Sequence, residues 1–332
     1  MKQRVVILDH VTSPEIELNI LGQEFEVTCL TSIPKSEQLE YLNSAVGLLA
    51  WHENIDASIL NQLHNCKVIV RYGTGFDNID IDFARDRGID VCNTPDYGID
   101  EVADSTCSMI LNFIRQTKFS SNEYIAGRID WAMPSEMGLK RTSEHKLGIV
   151  GLGRIGSSVA LKMKNFGIPT GFYDPYASRG IEKSYAITRY ESLRELQKNS
   201  SIITFHAPLT TETESMIDED FIENLNLNTI LVNNSRGGLI KNLDILIAAL
   251  ISNKISFLGL DVLPNEPLNK SSDFYKIMQL HSNQLSSRII MTPHISYYSE
   301  QSWIEMRTKA ALNVKNTLNG NPALNIVNTR IV

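Results

Sequence analysis

The sequence predicts an α/β protein built from two doubly wound parallel-sheet domains. Short apolar runs alternate with helical patterns along the whole chain, which is typical of βαβ units. A glycine-rich turn follows one of these runs at 151–156, in the middle of the chain. The chain has 332 residues, and single cores rarely grow beyond about 250–300 residues, so two domains are expected.

Eleven apolar runs are predicted as strands. Five lie in the first part of the chain, at 4–8, 27–30, 47–51, 67–72 and 90–93. Six lie around the glycine-rich turn, at 147–150, 170–173, 201–205, 229–233, 256–260 and 289–291. Helical patterns between successive runs supply the crossovers that parallel strands need.

The glycine-rich turn has the spacing of a dinucleotide-binding motif. Gly151, Gly153 and Gly156 follow a buried strand at G-x-G-x-x-G spacing, and a helix with apolar residues from Ile155 to Phe166 on one face comes next. The three glycines allow a tight turn, close approach of a pyrophosphate, and close packing of helix on strand. A glycine turn in an ordinary βαβ unit is the alternative, but strand, helix, second strand and acid occur here in order.

The acid is Asp174, which lies 18 residues after Gly156 at the end of the next strand. A carboxylate there accepts hydrogen bonds from the two ribose hydroxyls and repels a 2′-phosphate. Pro175 and Tyr176 supply no cation, and Arg179 is the nearest arginine along the chain, which is also compatible with an ordinary surface position. NAD is therefore favoured over NADP.

Two long helices place the domain boundaries. One is predicted over 101–117, and the other over 300–319, where apolar residues from Ile304 to Leu318 share a face before Gly320. The nucleotide domain is complete after strand 289–291, so the last helix is expected to return to the first domain. We therefore predict a discontinuous, flavodoxin-like substrate-binding domain of 1–99 and 298–332, with an NAD-binding Rossmann domain of 100–297 inserted, and a cleft that closes over the ligands.

Composition excludes several classes of function. The net charge is −7 and the pI is about 5.6, with no basic stripe, which argues against nucleic acid as a partner. No apolar run reaches the 18 or so residues that span a bilayer, and no signal peptide precedes the first strand. Four cysteines without C-x-x-C spacing are interpreted as reduced core residues. We expect a soluble, cytoplasmic protein with no membrane partner and no metal.

Three polar residues follow strands of the nucleotide domain, where open α/β sheets bind ligands. Arg236 follows strand 229–233, Glu266 follows strand 256–260, and His294 follows strand 289–291. Hydride transfer at a 2-hydroxy acid needs an acid/base near neutral pH, a carboxylate to orient it, and a cation for the substrate carboxylate. Each residue alone also fits an ordinary surface or loop position, but the three together favour catalysis.

A second candidate site lies in the first domain, in the segment 71–80 after strand 67–72. Gly73 and Gly75 flank Thr74, so that consecutive amides can form an anion nest beside Arg71. We predict that it holds the substrate carboxylate. The alternative is a glycine-rich βα turn in which Asp77 and Asn78 cap a helix.

These motifs together resemble the D-isomer-specific 2-hydroxyacid dehydrogenases, over roughly 45–320. The segments that carry the resemblance are VRYGTGFDNID, GLGRIG, YDPY, HAPLT, NSRGGLI, DVLPNEP and TPHIS. The C-terminal-binding protein (corepressor) branch is the closest in appearance, through VRYGTGFDNIDI, ADST and YSEQSWIEMR. The resemblance implies that Arg236, Glu266 and His294 have the roles given above.

The resemblance also implies the contacts with NAD. Asp261 would bind the nicotinamide amide and so select the ring face offered to substrate. Besides the three glycines and Asp174, the other predicted cofactor-binding residues are Thr74, Arg154, Ile155, Ala207, Pro208, Asn234, Ser235 and His294.

Some features limit what the resemblance implies about substrate. The corepressor branch typically has tryptophan where this chain has Tyr297, so its keto-acid preference does not carry over. Trp51 and His52 end a first-domain strand and are predicted to line the substrate pocket, together with Tyr297. None of these residues identifies the 2-hydroxy acid.

Two further expectations concern what the protein binds besides substrate. An NAD(H)-sensing, corepressor-like interaction protein is the alternative to an enzyme, and we favour the enzyme because little sequence precedes the first strand or follows the last helix. A homodimer through the NAD-binding domain is predicted from the broadly apolar helix 101–117, with its apolar Cys107, Met109 and Phe113, and from the segment 128–146, which carries Trp131, Met133 and Met137.

Overall fold

A computed structural model of the chain describes residues 2–132, 138–280 and 284–329. The chain divides into two compact units, one of Met1–Gly98 with Tyr298–Val332 and the other of Ile99–Tyr297. Across the described ranges, no helix is both long enough and apolar enough to cross a membrane.

The first unit contains a five-stranded parallel sheet. Its strands are β1 (Gln3–Ile7), β2 (Phe25–Cys29), β3 (Ala45–Ala50), β4 (Val68–Arg71) and β5 (Asp90–Cys92). They lie in the order β2-β1-β3-β4-β5, which is the flavodoxin-like arrangement, with its topological switch point between β1 and β3.

Five α-helices belong to the first unit, and the last of them comes from the C-terminal part of the chain. They are α1 (Glu15–Leu21), α2 (Gln38–Ser44), α3 (Ala57–Leu60), α4 (Ile81–Asp86) and α14 (Glu300–Leu318). Helix α14 buries Met306, Ala310, Ala311 and Val314. Ile304 was predicted to share a face with Ala311, Val314 and Leu318. It lies seven residues, about two helical turns, before the buried Ala311 but is itself 53% exposed.

A buried ion pair joins α14 to α1. Arg307 donates from Nε and Nη2 to the two carboxylate oxygens of Glu17, at 2.9 and 2.6 Å. The hydroxyl of Tyr72 donates to the same carboxylate at 2.8 Å. Burial, with the Glu17 charge, raises the pKa of Tyr72 well above its usual range, so the phenol stays a donor. Both charges are therefore hydrogen-bonded inside the unit.

The second unit contains a seven-stranded parallel sheet. Its strands are β6 (Leu147–Val150), β7 (Thr170–Tyr173), β8 (Thr188–Arg189), β9 (Ile202–Phe205), β10 (Thr229–Asn233), β11 (Ile255–Leu260) and β12 (Ile289–Met291). The order is β12-β11-β10-β9-β6-β7-β8, a Rossmann arrangement extended by one strand, with its switch point between β6 and β9. The predicted fold class is confirmed.

Helices cover both faces of this sheet. They are α5 (Ile99–Arg115), α6 (Thr117–Ile125), α7 (Arg154–Asn165), α8 (Ile181–Tyr185), α9 (Leu193–Asn199), α10 (Glu219–Glu223), α11 (Leu243–Ile251), α12 (Asp273–Gln279) and α13 (Gln284–Ser287). Neighbouring residues of one strand belong to opposite cores: Ile202 packs with α5 and α7, and Ile203 packs with the α9–α12 side. Because both faces are buried, these strands read as continuous apolar runs.

Several sequence predictions differ in detail from the structure. Strand β8 was not predicted, since two residues give too short an apolar run. The helix predicted over 101–117 runs from Ile99 to Arg115. Phe166 is 54% exposed rather than on the buried face of α7, because it lies beyond the last helical residue, at the C-cap. Met133 and Met137 lie outside the described residues.

All four cysteines are buried, free thiols, as predicted. Burial raises the pKa of Cys66 and Cys92 to about 12 and that of Cys107 to about 11. These thiols stay protonated near neutral pH and are packing residues.

Candidate active site

The glycine-rich turn joins β6 to α7, and two of its glycines are required by the structure itself. Gly151 has φ +90°, and a Cβ there would lie 2.8 Å from the Ala207 nitrogen, which belongs to the loop after β9. A Cβ on Gly156 would collide with the carbonyl oxygen of Gly151. These two positions therefore need glycine for backbone conformation and close packing.

Gly153 has a different environment, which suits a bound pyrophosphate. A Cβ there would meet nothing within 4 Å, and Gly153 is the N-cap of α7 without a side-chain capping bond. Arg154 and Ile155 begin the helix at this end. The open space and the helix N-terminus fit the phosphates of NAD.

Asp174 ends β7 and is held by three backbone amides. Its carboxylate accepts from Leu152 in the glycine-rich turn at 2.8 Å, from Tyr176 at 2.9 Å and from Ala177 at 3.1 Å. An ionised carboxylate has about four lone-pair sites, so capacity remains for a ribose hydroxyl. The bond to Leu152 fixes the acid beside the turn that would hold the pyrophosphate.

The arginines near Asp174 are engaged in other contacts. Arg179 pairs with Glu191 at the surface. Arg189, which the sequence analysis did not consider, donates to the carbonyls of Asp174, Ala177 and Ser178, and it pairs with Glu182 at 3.1 Å. Arg189 therefore supports the loop after β7 through these contacts, and the charge presented beside the ribose position is the Asp174 carboxylate.

Arg236, Glu266 and His294 follow three adjacent strands of the sheet. Strands β10, β11 and β12 are neighbours and parallel, so their carboxyl ends meet at one edge. The Nδ1 atom of His294 lies 2.8 Å from Oε2 of Glu266, and Glu266 Oε1 accepts the amide of Leu263 at 2.9 Å. The carboxylate is thus anchored on one oxygen and orients the imidazole with the other.

His294 has a left-handed backbone conformation, with φ +56°. Such residues cost about 1–3 kcal/mol and persist only where surrounding contacts enforce them, which is frequent at functional sites. The enforcing group is Asp261. Its carbonyl accepts the amide of His294 at 2.8 Å, and its carboxylate accepts from Thr292 Oγ1 at 2.5 Å, the Ile295 amide at 3.0 Å and the Ser296 amide at 3.0 Å. Asp261 therefore holds the turn that carries His294.

The loop that carries Arg236 is held by Asn233, the last residue of β10. The side-chain amide of Asn233 donates to the Arg236 carbonyl at 2.9 Å, and its oxygen accepts from the Ser235 amide and hydroxyl. Asn233 is fully buried, and Asn234 is 5% exposed. Sequence reasoning did not select Asn233, although a polar residue ending an apolar strand is a usable signal.

The loop after β9 contains Ala207 and Pro208 and begins with a second histidine at this edge. The Nε2 atom of His206 lies 3.1 Å from Thr204 Oγ1, and its buried Nδ1 has no hydrogen-bond partner among the described residues. Burial lowers the pKa of His206 to about 3. His206 is therefore neutral near pH 7 and differs from His294 in lacking a carboxylate partner.

In the first unit, the turn after β4 brings Arg71 and Gly73 together. Gly73 has φ +130°, and a Cβ there would collide with the Arg71 guanidinium. The amide of Gly73 donates to Thr94 Oγ1 at 2.6 Å, so it is used within the turn. Helix α4 is capped by Asp80, whose side chain accepts the Phe83 amide. The side-chain amide of Asn78, one of the two residues expected to cap a helix, instead donates to the carbonyls of Trp51 and Glu53.

Trp51 and His52 lie at the carboxyl end of β3, next to the switch point of the first sheet. The buried carboxylate of Asp9 accepts the amides of Trp51 at 2.7 Å and of His52 at 2.5 Å. The His52 ring stacks on Trp51, with centroids 4.8 Å apart, and His10 and Trp303 add rings 5.6 and 4.7 Å from Trp51. Asp9, His10 and Trp303 were not selected from the sequence.

Comparison with known protein families gives an independent result. Residues 107–296 match the family described as D-isomer specific 2-hydroxyacid dehydrogenase, NAD binding domain. The chain has 32% identity over 284 residues to C-terminal-binding protein 1 of Caenorhabditis elegans, covering 84% of this chain and 38% of that protein. It has 32% identity over 321 residues to D-3-phosphoglycerate dehydrogenase of Methanocaldococcus jannaschii, covering 96% of this chain and 59% of that protein. The chain therefore spans less than two thirds of either relative.

A solved structure of similar fold contains both a cofactor and a small acid. D-lactate dehydrogenase from Aquifex aeolicus, complexed with NAD and lactic acid, superposes with a TM-score of 0.85 at 28% identity. The match covers 98% of this chain and 99% of that one. The open space at Gly153 and the carboxylate of Asp174 agree with an NAD-binding domain in this chain.

Proposed function

The chain belongs to the D-isomer specific 2-hydroxyacid dehydrogenase family, and on that premise we propose that it interconverts a 2-keto acid and a D-2-hydroxy acid with NAD(H). The observation that carries the proposal is the 2.8 Å contact between His294 Nδ1 and Glu266 Oε2. These two residues follow β12 and β11, and β11 lies beside β10, the strand that precedes Arg236. An imidazole oriented by a carboxylate is suited to move a proton near neutral pH.

NAD, when bound, supplies or accepts the hydride at C2 of the substrate. In the reductive direction, His294 gives a proton to the oxygen on C2, and Glu266 stabilises the imidazolium before that transfer. Because Nδ1 is engaged by Glu266, Nε2 is the atom that exchanges the proton. In the oxidative direction, the same nitrogen takes the proton back.

Arg236 binds the substrate carboxylate and polarises the C2 carbonyl, since a guanidinium offers two parallel donors to a carboxylate. In the first unit, the amides of Thr74 and Gly75 and the buried Arg71 form a second candidate carboxylate site, with the Gly73 amide already engaged by Thr94. Trp51, His52 and Tyr297 are proposed to contact the substrate side chain.

The residues proposed to hold the cofactor occupy the loops after β6, β7, β9, β10, β11 and β12, apart from Thr74 in the first unit. The glycine-rich turn with Arg154 and Ile155 would hold the pyrophosphate, and Asp174 the adenosine ribose. Ala207, Pro208, Asn234, Ser235, Asp261 and His294 are proposed to line the remainder. Three of the four lone-pair sites of the Asp261 carboxylate are used by the His294 turn, so one remains for the nicotinamide amide.

The test is a panel of 2-keto acids that differ in side-chain size and charge, incubated with NADH and followed by the loss of NADH absorbance. Turnover of at least one acid, with a D-2-hydroxy acid as product, is expected. Absence of turnover across the panel at saturating NADH would contradict the proposal.

One comparison favours a second function: the chain is 32% identical to C-terminal-binding protein 1 over a match that covers 84% of its length. In that alternative, NADH binding controls association with another protein. Partner capture that requires NADH, by a protein that turns over no acid of the panel, would support it.

A homodimer through the second unit remains part of the proposal, on changed grounds. Cys107, Met109 and Phe113 of α5 belong to the core of that unit, so their apolar character is explained without a second copy. The outer side of α5 and α7 forms a groove of about 780 Å³, to which Cys107 also contributes. Its other lining residues are Asp104, Ser108, Leu111, Asn112, Arg115, Thr117, Lys162, Asn165 and Phe166. Trp131, 79% exposed, stacks edge-on against Tyr124, 5.6 Å away. Both features offer surface to a second copy.

Light scattering tests the dimer. A mass of about twice 37.3 kDa is expected for the wild type, with a lower mass for Trp131→Asp. A wild-type mass of one chain would contradict it.

A further inference from the structure

Three polar side chains connect the loops of the second unit beneath the proposed catalytic residues. The hydroxyl of Ser296 lies 2.8 Å from the hydroxyl of Ser105 on α5. It also accepts a hydrogen bond from the side-chain amide of Asn234, at 3.2 Å. Ser296 is 6% exposed and Asn234 is 5% exposed. Neither the proposed chemistry nor the cofactor contacts use the Ser105 and Ser296 hydroxyls.

The position of Ser296 makes it a junction between two functional loops. Ser296 is two residues after His294, and its amide donates to Asp261, the residue that holds the His294 turn. Asn234 is two residues before Arg236, in the loop held by Asn233. The Ser296 hydroxyl is thus a direct side-chain link from the turn carrying the acid/base to the loop carrying the carboxylate-binding cation.

The link also reaches the points where the chain passes between the two units. Ser105 lies in the second turn of α5, which begins at Ile99, the first residue of the second unit. Ser296 is followed by Tyr297, the last residue of that unit. The same hydroxyl therefore ties both functional loops to the helix that starts the unit.

Burying the side chains of Ser296 and Asn234 costs solvation, and apolar side chains of similar size would fill the space without that cost. The hydrogen bonds among Ser296, Asn234 and the half-buried Ser105 favour one arrangement of the three side chains, although Asn234 Oδ1 has no partner among the described residues. Catalysis of proton and hydride transfer depends strongly on such placement, because a displacement of about 1 Å can lower the rate about 100-fold.

We propose that Ser296 is a positioning residue that fixes the His294 turn relative to the Arg236 loop through its bonds to Asn234 and Ser105. This inference rests on the proposed function for its catalytic consequence. The link itself is a property of the folded chain and is measurable without turnover.

The first experiment measures amide hydrogen exchange in the full chain without substrate, comparing wild type with Ser296→Ala. Removing the hydroxyl leaves the Asn234 amide and Ser105 without that partner. We expect faster exchange in both segments, 233–237 and 292–297. Ser252→Ala is the matched control, because Ser252 is exposed and its hydroxyl bonds only within the end of its own helix. Faster exchange in 292–297 alone, or in neither segment, would overturn the link.

The second experiment measures kcat, KM for the keto acid and Kd for NADH. Ser296→Ala is expected to lower kcat by about 10- to 100-fold and to raise KM, with Kd for NADH nearly unchanged. Ser105→Ala, at the less buried end, should act in the same direction but less strongly. The double variant should resemble Ser296→Ala alone, since both changes remove one shared bond.

Each outcome has a distinct meaning. An unchanged kcat in Ser296→Ala, despite faster exchange in both loops, overturns the positioning role but not the proposed function. A wild type that reduces no keto acid overturns the proposed function and the catalytic part of this inference with it, and the exchange result then decides the link alone. A kcat loss accompanied by an equal loss of NADH affinity also overturns the role, because the defect would then be general.

Discussion

The two halves of the seven-stranded sheet use the same strand-end position in different ways. On one side of the switch point, the loops after β6 and β7 present glycines, backbone amides and the Asp174 carboxylate. On the other, the loops after β10, β11 and β12 present Arg236, Glu266 and His294. The first half is built to approach a ligand closely, and the second to place ionisable side chains. Equivalent positions at the ends of parallel strands can thus carry different chemical groups, and the local sequence of each loop determines which groups are present.

The energetic devices of the two halves differ accordingly. Gly151 and Gly156 are required by close contacts with Ala207 and with each other. In the half that contains β6 and β7, the glycine-rich turn therefore depends on positions that have no side chain. The other half enforces a left-handed His294 through Asp261. We therefore expect changes on the reacting half to lower kcat and changes on the binding half to alter cofactor affinity and choice.

The largest expected effect comes from His294→Ala. It should lower kcat by about 10²–10⁴-fold, because it removes proton transfer, and leave Kd for NADH nearly unchanged. Steady-state kinetics and quenching of protein fluorescence by NADH measure the two quantities. Turnover by His294→Ala at the wild-type rate would contradict the assignment of proton transfer to His294, and with it the division of the sheet into a binding half and a reacting half.

Glu266→Gln should have the next largest effect. The amide keeps the size of the side chain but does not neutralise the imidazolium, so kcat should fall by about 10- to 100-fold, as for the loss of a charge-assisted hydrogen bond. The same kinetic and binding measurements apply. Glu266→Asp is the companion variant, because it retains the negative charge on a shorter side chain. It should keep more activity than Glu266→Gln only if the charge, and not the length of the side chain, determines kcat.

Asp174→Asn examines the binding half. The amide oxygen can still accept the Leu152 amide, which is bonded to Asp174 at 2.8 Å, so the turn should persist while the charge is lost. We expect the preference for NADH over NADPH to fall by about tenfold, with kcat at saturating NADH nearly unchanged. Asp174→Ala should show the same change of preference together with weaker binding of both cofactors, as the turn loses its support.

The features of the fold and of the candidate site that could be predicted from the sequence are those that depend on residues close together along the chain. Eleven of the twelve strands in the described part of the chain were predicted, because buried parallel strands are continuous apolar runs. Strand β8 was not predicted, because it has two residues. Arg236, Glu266 and His294 were predicted as a set from one rule, that strand ends in a parallel sheet share an edge. Helix α14 was predicted, and Ala311 and Val314 of its predicted apolar face are buried, but Ile304 of the same face is exposed.

Contacts between distant polar residues had no sequence signal. Ser105 and Ser296 are separated by 191 positions, and neither lies in a pattern that marks it as a partner of the other. The role of Asp261 in holding the His294 turn likewise depends on three donors from a segment about 30 residues later. Periodicity and motif spacing describe local structure, whereas these bonds exist only once the sheet has brought its loops together.

The smallest expected effect concerns stability and His206, the first residue after β9, the strand that lies between β10 and β6. Burial lowers its pKa from 6.5 to about 3, so below pH 6.5 the unfolded chain binds a proton at this position that the folded chain does not. The free energy of unfolding should therefore fall as pH decreases from 6.5 towards 3, by up to a few kcal/mol from this group. Above pH 6.5, His206 should make no contribution to the pH dependence of the free energy of unfolding.

His206→Gln should remove that part of the pH dependence, because the amide does not titrate and can still bond to Thr204. His64→Gln, at an exposed histidine, is the matched control for the replacement of a histidine by glutamine. Denaturant unfolding between pH 3.5 and 8 measures the difference in the free energy of unfolding between each variant and the wild type.

If wild type and His206→Gln lose stability in parallel as pH decreases, then His206 is protonated in the folded state. The loop after β9 would in that case carry a second ionisable group, and the division of the sheet into a binding half and a reacting half would need to be redrawn at that loop.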